Sequence, residues 1–293
     1  MWLPWQYGAL FAAALAGLAL ILRRNGGSRA LAVAPFASET AIVLALYALW
    51  RYAGYVSPSV TGGAARRGQD IWHLERAVRL PSEVAWQRAV LPYPALVKAS
   101  NLFYASAHVP ALIAFLVWLF VRHRPRFPQV RNVLAGFTGI SLVMHIVPVA
   151  PPRLLGGIGI VDTGIRYGQS VYANGLADQL AAMPSVHVGW AVIVGVGVVV
   201  ASDSRWRWWA LLYPALTTIA VVVTGNHYWF DGIVAVGLIA AVVLLDEAAR
   251  RLLGRRRRIE LVEADSRAGA GSGAAHTPVP VVAVGRVSTP ARG

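Results

Sequence analysis

The stretch TGNHYWFD, Thr224 to Asp231, sets a histidine and an aspartate four residues apart between two strongly apolar runs, Trp208–Val223 and Gly232–Leu245. If the chain is helical from Gly225 onward, His227 and Asp231 project from one face, a turn apart. A carboxylate bonded to one ring nitrogen fixes the tautomer and frees the other nitrogen to act as base, nucleophile or ligand. The same spacing also suits an interfacial histidine bonded to an aspartate cap. In AAMPSVHVGW (Ala181–Trp190), Pro184 and Ser185 suit the start of a helix. A helix N-terminus offers unpaired N–H groups and a positive dipole end to an anion, and His187 sits where it can donate a proton to a bound group. In HIVPVAPPRLL (His145–Leu155), three prolines stiffen the approach to Arg153. A guanidinium held there can bind phosphate oxygens in a bidentate way, although an arginine reaching for headgroups after a proline stop has the same pattern.

The elements that must position these residues are membrane helices. The chain has 293 residues, 57% hydrophobic and 14% charged, where a soluble domain carries about a quarter charged residues. About seven apolar spans are expected: Trp2–Leu22, Ala32–Tyr55, Asn101–Val121, Val133–Val149, Pro184–Ala201, Trp208–Thr224 and Trp229–Leu245. The first lacks a basic leader and a small-residue cleavage site and reads as a retained helix. The net charge of +14 lies in short arginine clusters between apolar runs. That placement is a topology signal and argues against nucleic acid as a partner. The clusters follow the first, third, fifth and seventh spans. The positive-inside rule therefore puts those loops and the C-terminus in the cytoplasm, and all three polar stretches on the outer face. Cysteine is absent, which excludes disulfide and thiolate chemistry.

The long outer loop Val56–Val97 contains DIWHLERAVRL and EVAWQRAVL, whose near-helical alternation suits helices along the membrane surface. After Glu263 the chain is rich in Gly, Ala, Pro and Ser and reads as a disordered cytoplasmic tail. The glycines near Gly156 lack the strand–turn–helix context of a nucleotide loop. The expected class is all-α, a polytopic integral membrane helix bundle with interfacial helices. Its divisions are residues 1–30 (first helix and basic loop), 31–250 (the membrane-embedded domain) and 251–293 (basic, then disordered).

In this order the three stretches resemble the motifs of the type 2 phosphatidic acid phosphatase superfamily, and most closely its inositol phosphorylceramide synthase-like branch. APPR matches the basic motif, MPSVH the second, and NHYWFD the histidine-to-aspartate motif, within roughly Val133–Leu245. The resemblance implies a plasma-membrane enzyme acting on a lipid phosphate at the extracytoplasmic face, with a six-helix core and one added N-terminal helix. His227 would attack phosphorus, Asp231 would orient it, and His187 would protonate the leaving oxygen. Arg153 and Ser185 would hold the phosphate, with no cofactor and no metal. An alcohol as acceptor, inositolphosphotransferase-like, gives a transferase; water gives a phosphatase.

The chain departs from the phosphatase pattern where cations are expected: Ile146 stands in place of a lysine, and Ala220 and Val221 in place of Ser-Arg. Arg166 and Arg76 are candidates to complete the clamp. Two further classes share the same residues. One is a two-histidine, one-carboxylate metal site of His187, His227 and Asp231; the other is a lipid-phosphate carrier that binds without reacting. His145 is a candidate lining residue, His108 suits core packing, and Glu39 falls near the cytoplasmic boundary. The topology has a direct test: reporter fusions after Gly168 and after Gly254 should report opposite faces of the membrane. Reports from the same face would reject the assignment.

Overall fold

The computed structural model describes residues 3–56, 62–170 and 179–272. The chain divides into a unit Met1–Asp246 and a second unit Glu247–Gly293. Secondary structure among the described residues is helical, with one isolated parallel bridge between Val149 and Ala181.

Helix α1 (Trp5–Asn25) and α2 (Ser28–Val56) form an antiparallel hairpin. Its seam is made of small residues: Gly8, Ala12 and Ala19 on one side and Ala37, Ala41 and Ala48 on the other are buried. Between apolar helices in lipid there is no water to expel, so close backbone approach and polar contacts must hold the pair. Tyr47 closes one end of the hairpin by donating to Leu3 O at 2.7 Å. Helices α3 (Ala64–Ala77) and α4 (Glu83–Val90) fall in the long loop Val56–Val97, where surface helices were expected. Residues 57–61 of that loop lie outside the described residues. Both helices turn charged side chains inward, since Glu75 and Glu83 are fully buried.

The expected third span is two helices, α5 (Pro94–Ser106) and α6 (His108–Arg122), bent by 51°. The cause is Pro110: it has no N–H for the Ser106 carbonyl, and its ring crowds that carbonyl. Helix α7 (Phe127–Met144) stops short of the expected Val149. Glu39 of α2 forms an ion pair with Arg131 of α7, so a residue assigned only to a boundary ties the hairpin to the bundle. A single turn, α8 (Thr163–Arg166), precedes α9 (Val186–Ala201) and α10 (Leu212–Val223), the last entered through a 3-10 segment, Arg205–Leu211. Helix α11 runs from Trp229 to Ser272. Its helix extends past Glu263, where disordered chain was expected; the remainder of the tail, 273–293, lies outside the described residues.

Each of the seven expected segments is thus largely helical. Four helices are long and apolar enough to cross a membrane, or five with the bent pair counted as one span; α9 is shorter. Large apolar side chains such as Leu10, Val121 and Leu244 stand exposed, as lipid-facing positions should. The inner core joins α6, α7, α9 and α11 through Phe115, Leu119, Phe137, Ile193 and Val242. A second cluster of Ala64, Val149, Ala150, Leu155, Leu180, Ala182 and Tyr228 packs where the three polar stretches meet.

Gly225 ends α10. Its φ is +70°, and an added Cβ would stand 2.8 Å from Ile160 Cγ2 and 3.2 Å from Arg153 Cβ. Left-handed backbone alone costs an L-residue about 1–2 kcal/mol. Gly225→Ala should therefore lower the unfolding midpoint of the detergent-purified protein by about 2–8 °C. Gly237→Ala, a helical site with nothing within 4 Å of the added Cβ, should leave it unchanged or raise it. Equal midpoints for the two variants would contradict this account of the hinge.

Candidate active site

The hinge is built by the backbone before any side chain acts. Asn226 N and His227 N both donate to Val221 O, at 3.0 and 3.2 Å, which folds the chain back on the end of α10. Helix α11 then starts at Trp229, and the Asp231 side chain reaches back to accept Tyr228 N–H on Oδ2 at 2.9 Å. This is the reach of a capping-box acid, and it fixes the carboxylate. The same Oδ2 lies 3.2 Å from His227 Nδ1. Ala182 O lies 2.8 Å from that nitrogen. Both partners are acceptors, so Nδ1 carries the proton and Nε2 presents its lone pair.

Nε2 points at the second stretch. His187 Nδ1 is 3.4 Å from it. Ser185 is the N-cap of α9: its Oγ accepts Val188 N–H at 3.3 Å, and its own N–H donates to Asp231 O at 3.3 Å. The hydroxyl proton of Ser185 remains a possible donor to an anion. His187 is held between rings, with Tyr104 tilted at 4.4 Å between centroids and His108 edge-on at 4.9 Å. His108, expected to serve only packing, is thus a direct neighbour of the pair. His145 lines the same region, its Nε2 being 3.3 Å from Pro184 O.

The first stretch enters through a 3-10 turn, Pro152–Leu154, and Arg153 N donates to Gly225 O at 3.0 Å. The guanidinium is buried. Its Nε donates to Asn226 Oδ1 at 2.9 Å, and Nη1 to Asp162 Oδ2 at 2.9 Å and Gln179 Oε1 at 3.1 Å. Asp162 is itself fixed, because its Oδ1 caps α8 by accepting Ile165 N–H at 3.0 Å. Next to Arg153 lies a small polar cavity bounded by Asn101, Tyr104, Asp162, Gln169 and Asn226. The groove between α1 and α2 is lined by none of the site residues.

His227, Asp231, His187 and Ser185 are therefore linked by direct contacts, and Arg153 is tied to the same hinge through Gly225 and Asn226. Backbone contacts tie the stretches together: Val149 N donates to Leu180 O and Ala182 N to Val149 O, joining the first to the second. The two additional cations do not join them. Arg76 is paired with Glu83 and lies over Trp72, and Arg166 lies over Tyr167 on the exposed side of α8. Ile146 is exposed, whereas Ala220 and Val221 are buried under the hinge, so the positions of the missing cations are apolar. Among the described residues no group of three or more His, Cys, Asp or Glu side chains is arranged to hold a metal ion. Asn101, Asp162, Gln169 and Gln179 escaped sequence reasoning, since isolated amides and one acid in loops carry no spacing signal. Asn226 stood unremarked inside a quoted motif.

Comparison with known proteins agrees with this geometry. No curated protein and no solved structure matches the chain significantly. Residues 69–245 match the PAP2 superfamily, a segment that opens in α3, contains all three polar stretches and ends within α11. The chain belongs to the PAP2 superfamily, whose members act on phosphate esters.

Proposed function

We propose that the protein transfers the phospho-headgroup of a lipid phosphate, inositolphosphotransferase-like, through a phosphohistidine on His227 at the extracytoplasmic face of the plasma membrane. The observation that carries the reading is the pair of acceptors on His227 Nδ1, Ala182 O and Asp231 Oδ2, which leaves Nε2 as the nucleophilic atom. Nε2 attacks phosphorus and the bond to the leaving oxygen breaks, while His187, as imidazolium, gives that oxygen its proton. In the second step neutral His187 takes the proton of an acceptor hydroxyl as its oxygen attacks phosphorus, and His227 is released. At 3.4 Å the two rings stand too close for a phosphoryl group between them. His187 must therefore turn aside when substrate binds. Arg153 and the N-terminus of α9 carry the electrostatic load, because phosphoryl transfer depends mainly on positioning and charge stabilisation.

The charge balance of the site favours headgroup transfer. Arg153 is already paired with Asp162, so the net positive charge beside the histidines is small. A phosphodiester monoanion suits such a site better than a monoester dianion.

His227→Ala should abolish turnover. Asp231→Asn should cut it by orders of magnitude, through weakened tautomer control and loss of the charge that stabilises the imidazolium; in the serine-protease triad the equivalent change costs about 10⁴. Near-normal turnover of His227→Ala would remove the nucleophile assignment. With radiolabelled lipid phosphate, an acid-labile and base-stable label should map to His227. It should build up most in His187→Ala given a substrate whose good leaving group needs little protonation. An active enzyme that never carries label would leave direct attack by the acceptor. Activity lost to chelators and restored by a divalent ion would support a metal site. Product identification with and without an acceptor alcohol separates transfer from hydrolysis, and binding without any product would leave a carrier.

A further inference from the structure

Helix α11 begins with a polar requirement that its own sequence does not meet. Tyr228 precedes the helix, and its hydroxyl is committed to Ala150 O at 2.8 Å. The N–H of Phe230, in the first turn, has no acceptor within its own helix. Glu75 of α3 supplies one, with Oε1 at 2.7 Å from Phe230 N. A side chain 155 positions away thus does what an N-cap residue usually does. The next residue after Phe230 is Asp231.

Glu75 and Glu83 are both fully buried, on either side of one guanidinium nitrogen of Arg76. Arg76 Nη2 lies 2.7 Å from Glu83 Oε2 but 3.8 Å from Glu75 Oε2. Glu75 Oε2 and Glu83 Oε1 receive no N–H or O–H from any other group. Two ionised carboxylates buried around one guanidinium nitrogen, with Asp231 also near, repel each other; a single proton lets one donate an O–H···O bond to the other.

We propose that Glu75 and Glu83 share one proton and act as a positioning pair for the start of α11, and through it for Asp231 and His227. Neutral Glu75 accepts Phe230 N–H on one oxygen and donates its O–H to Glu83 from the other, while Glu83 keeps its charge opposite Arg76. The positioning role rests on the proposed functions of His227 and Asp231; the shared proton does not.

The groups facing Glu75 are Glu83 and Arg76 from α3 and α4, and Tyr228, Phe230 and Asp231 from the hinge and α11. Burial first, then the bond to Glu83 and the charges of Glu83 and Asp231, push the Glu75 carboxyl up to about 9, against the opposing pull of Phe230 N–H. The unfolded chain releases this proton at the ordinary glutamate value, about 4.3. The stabilising effect of the bound proton is therefore complete below that value and is lost progressively as pH rises to about 9.

The test uses the full-length protein in detergent, with unfolding midpoint and kcat measured from about pH 5 to about pH 10. Glu75→Gln keeps both bonds, since its amide oxygen accepts Phe230 N–H and its NH₂ donates to Glu83. Its midpoint should fall less steeply with pH than that of the wild type, and the alkaline decline of kcat should be reduced. At neutral pH it should keep turnover within about threefold, whereas Glu75→Ala should lose about tenfold or more. Parallel midpoint curves for wild type and Glu75→Gln would overturn the shared proton. Identical kcat profiles would overturn the positioning role, as would a Glu75→Gln loss equal to that of Glu75→Ala. If Glu75→Ala does not fold, the Glu75→Gln comparison alone decides. The midpoint readout needs no turnover, so failure of the His227 assignment would leave the shared proton still judged by it.

Discussion

One oxygen atom fixes the geometry on which the candidate site depends. Asp231 Oδ2 accepts Tyr228 N–H and also meets His227 Nδ1. The first contact locks the carboxylate to the start of α11; the second locks the imidazole to the carboxylate. A histidine bonded to an aspartate cap and a histidine oriented by an aspartate are alternatives in the sequence. In the structure they are the same arrangement. Its cap bond costs the aspartate no freedom that orienting the ring would need, and the ring gains a partner that is already immobile.

Around that atom the main chain does most of the positioning. Arg153 N meets Gly225 O, Ser185 N meets Asp231 O, and Ala182 both bonds Val149 through its N–H and accepts from His227 through its carbonyl. Segments that leave helices at membrane depth must satisfy their peptide groups inside the protein, since lipid offers none. The three polar stretches do so largely with one another. This is why they converge, and why small residues line their contacts. A Cβ on Gly68 of α3 would stand 2.6 Å from Ala150 O and 2.8 Å from the Tyr228 hydroxyl, so α3 can close over the hinge only with a glycine there.

The legible part of the fold was the part with a period or a motif. Apolar runs gave the helical segments, arginine clusters suggested their order across the membrane, and TGNHYWFD, PSVH and APPR marked residues that do come together. The break between α5 and α6 had a visible signal in Pro110, but one apolar run concealed it. Its consequence, His108 and Tyr104 against His187, needs three dimensions. Glu75 and Glu83 were read as polar positions of surface helices, because amphipathic spacing shows which residues share a face and not what that face meets. The extension of α11 past Glu263 was hidden by a composition of Gly, Ala and Ser that favours disorder.

Arg153 shows how rigidity and charge were balanced. Its guanidinium is oriented by Asn226, Asp162 and Gln179, from three separate segments, and Asp162 is immobilised in turn by capping α8. Such preorganisation lowers the reorganisation needed when an anion arrives. It also sets a carboxylate against the cation, so some attraction for an anion is given up in exchange for direction. The apolar residues at 146, 220 and 221 reduce that attraction further. A site of this kind binds weakly by charge and must draw on hydrogen bonds to the rest of the ligand. Discrimination by hydrogen bonding is also the stronger kind, because a ligand lacking the matching hydroxyl leaves buried polar groups unpaired.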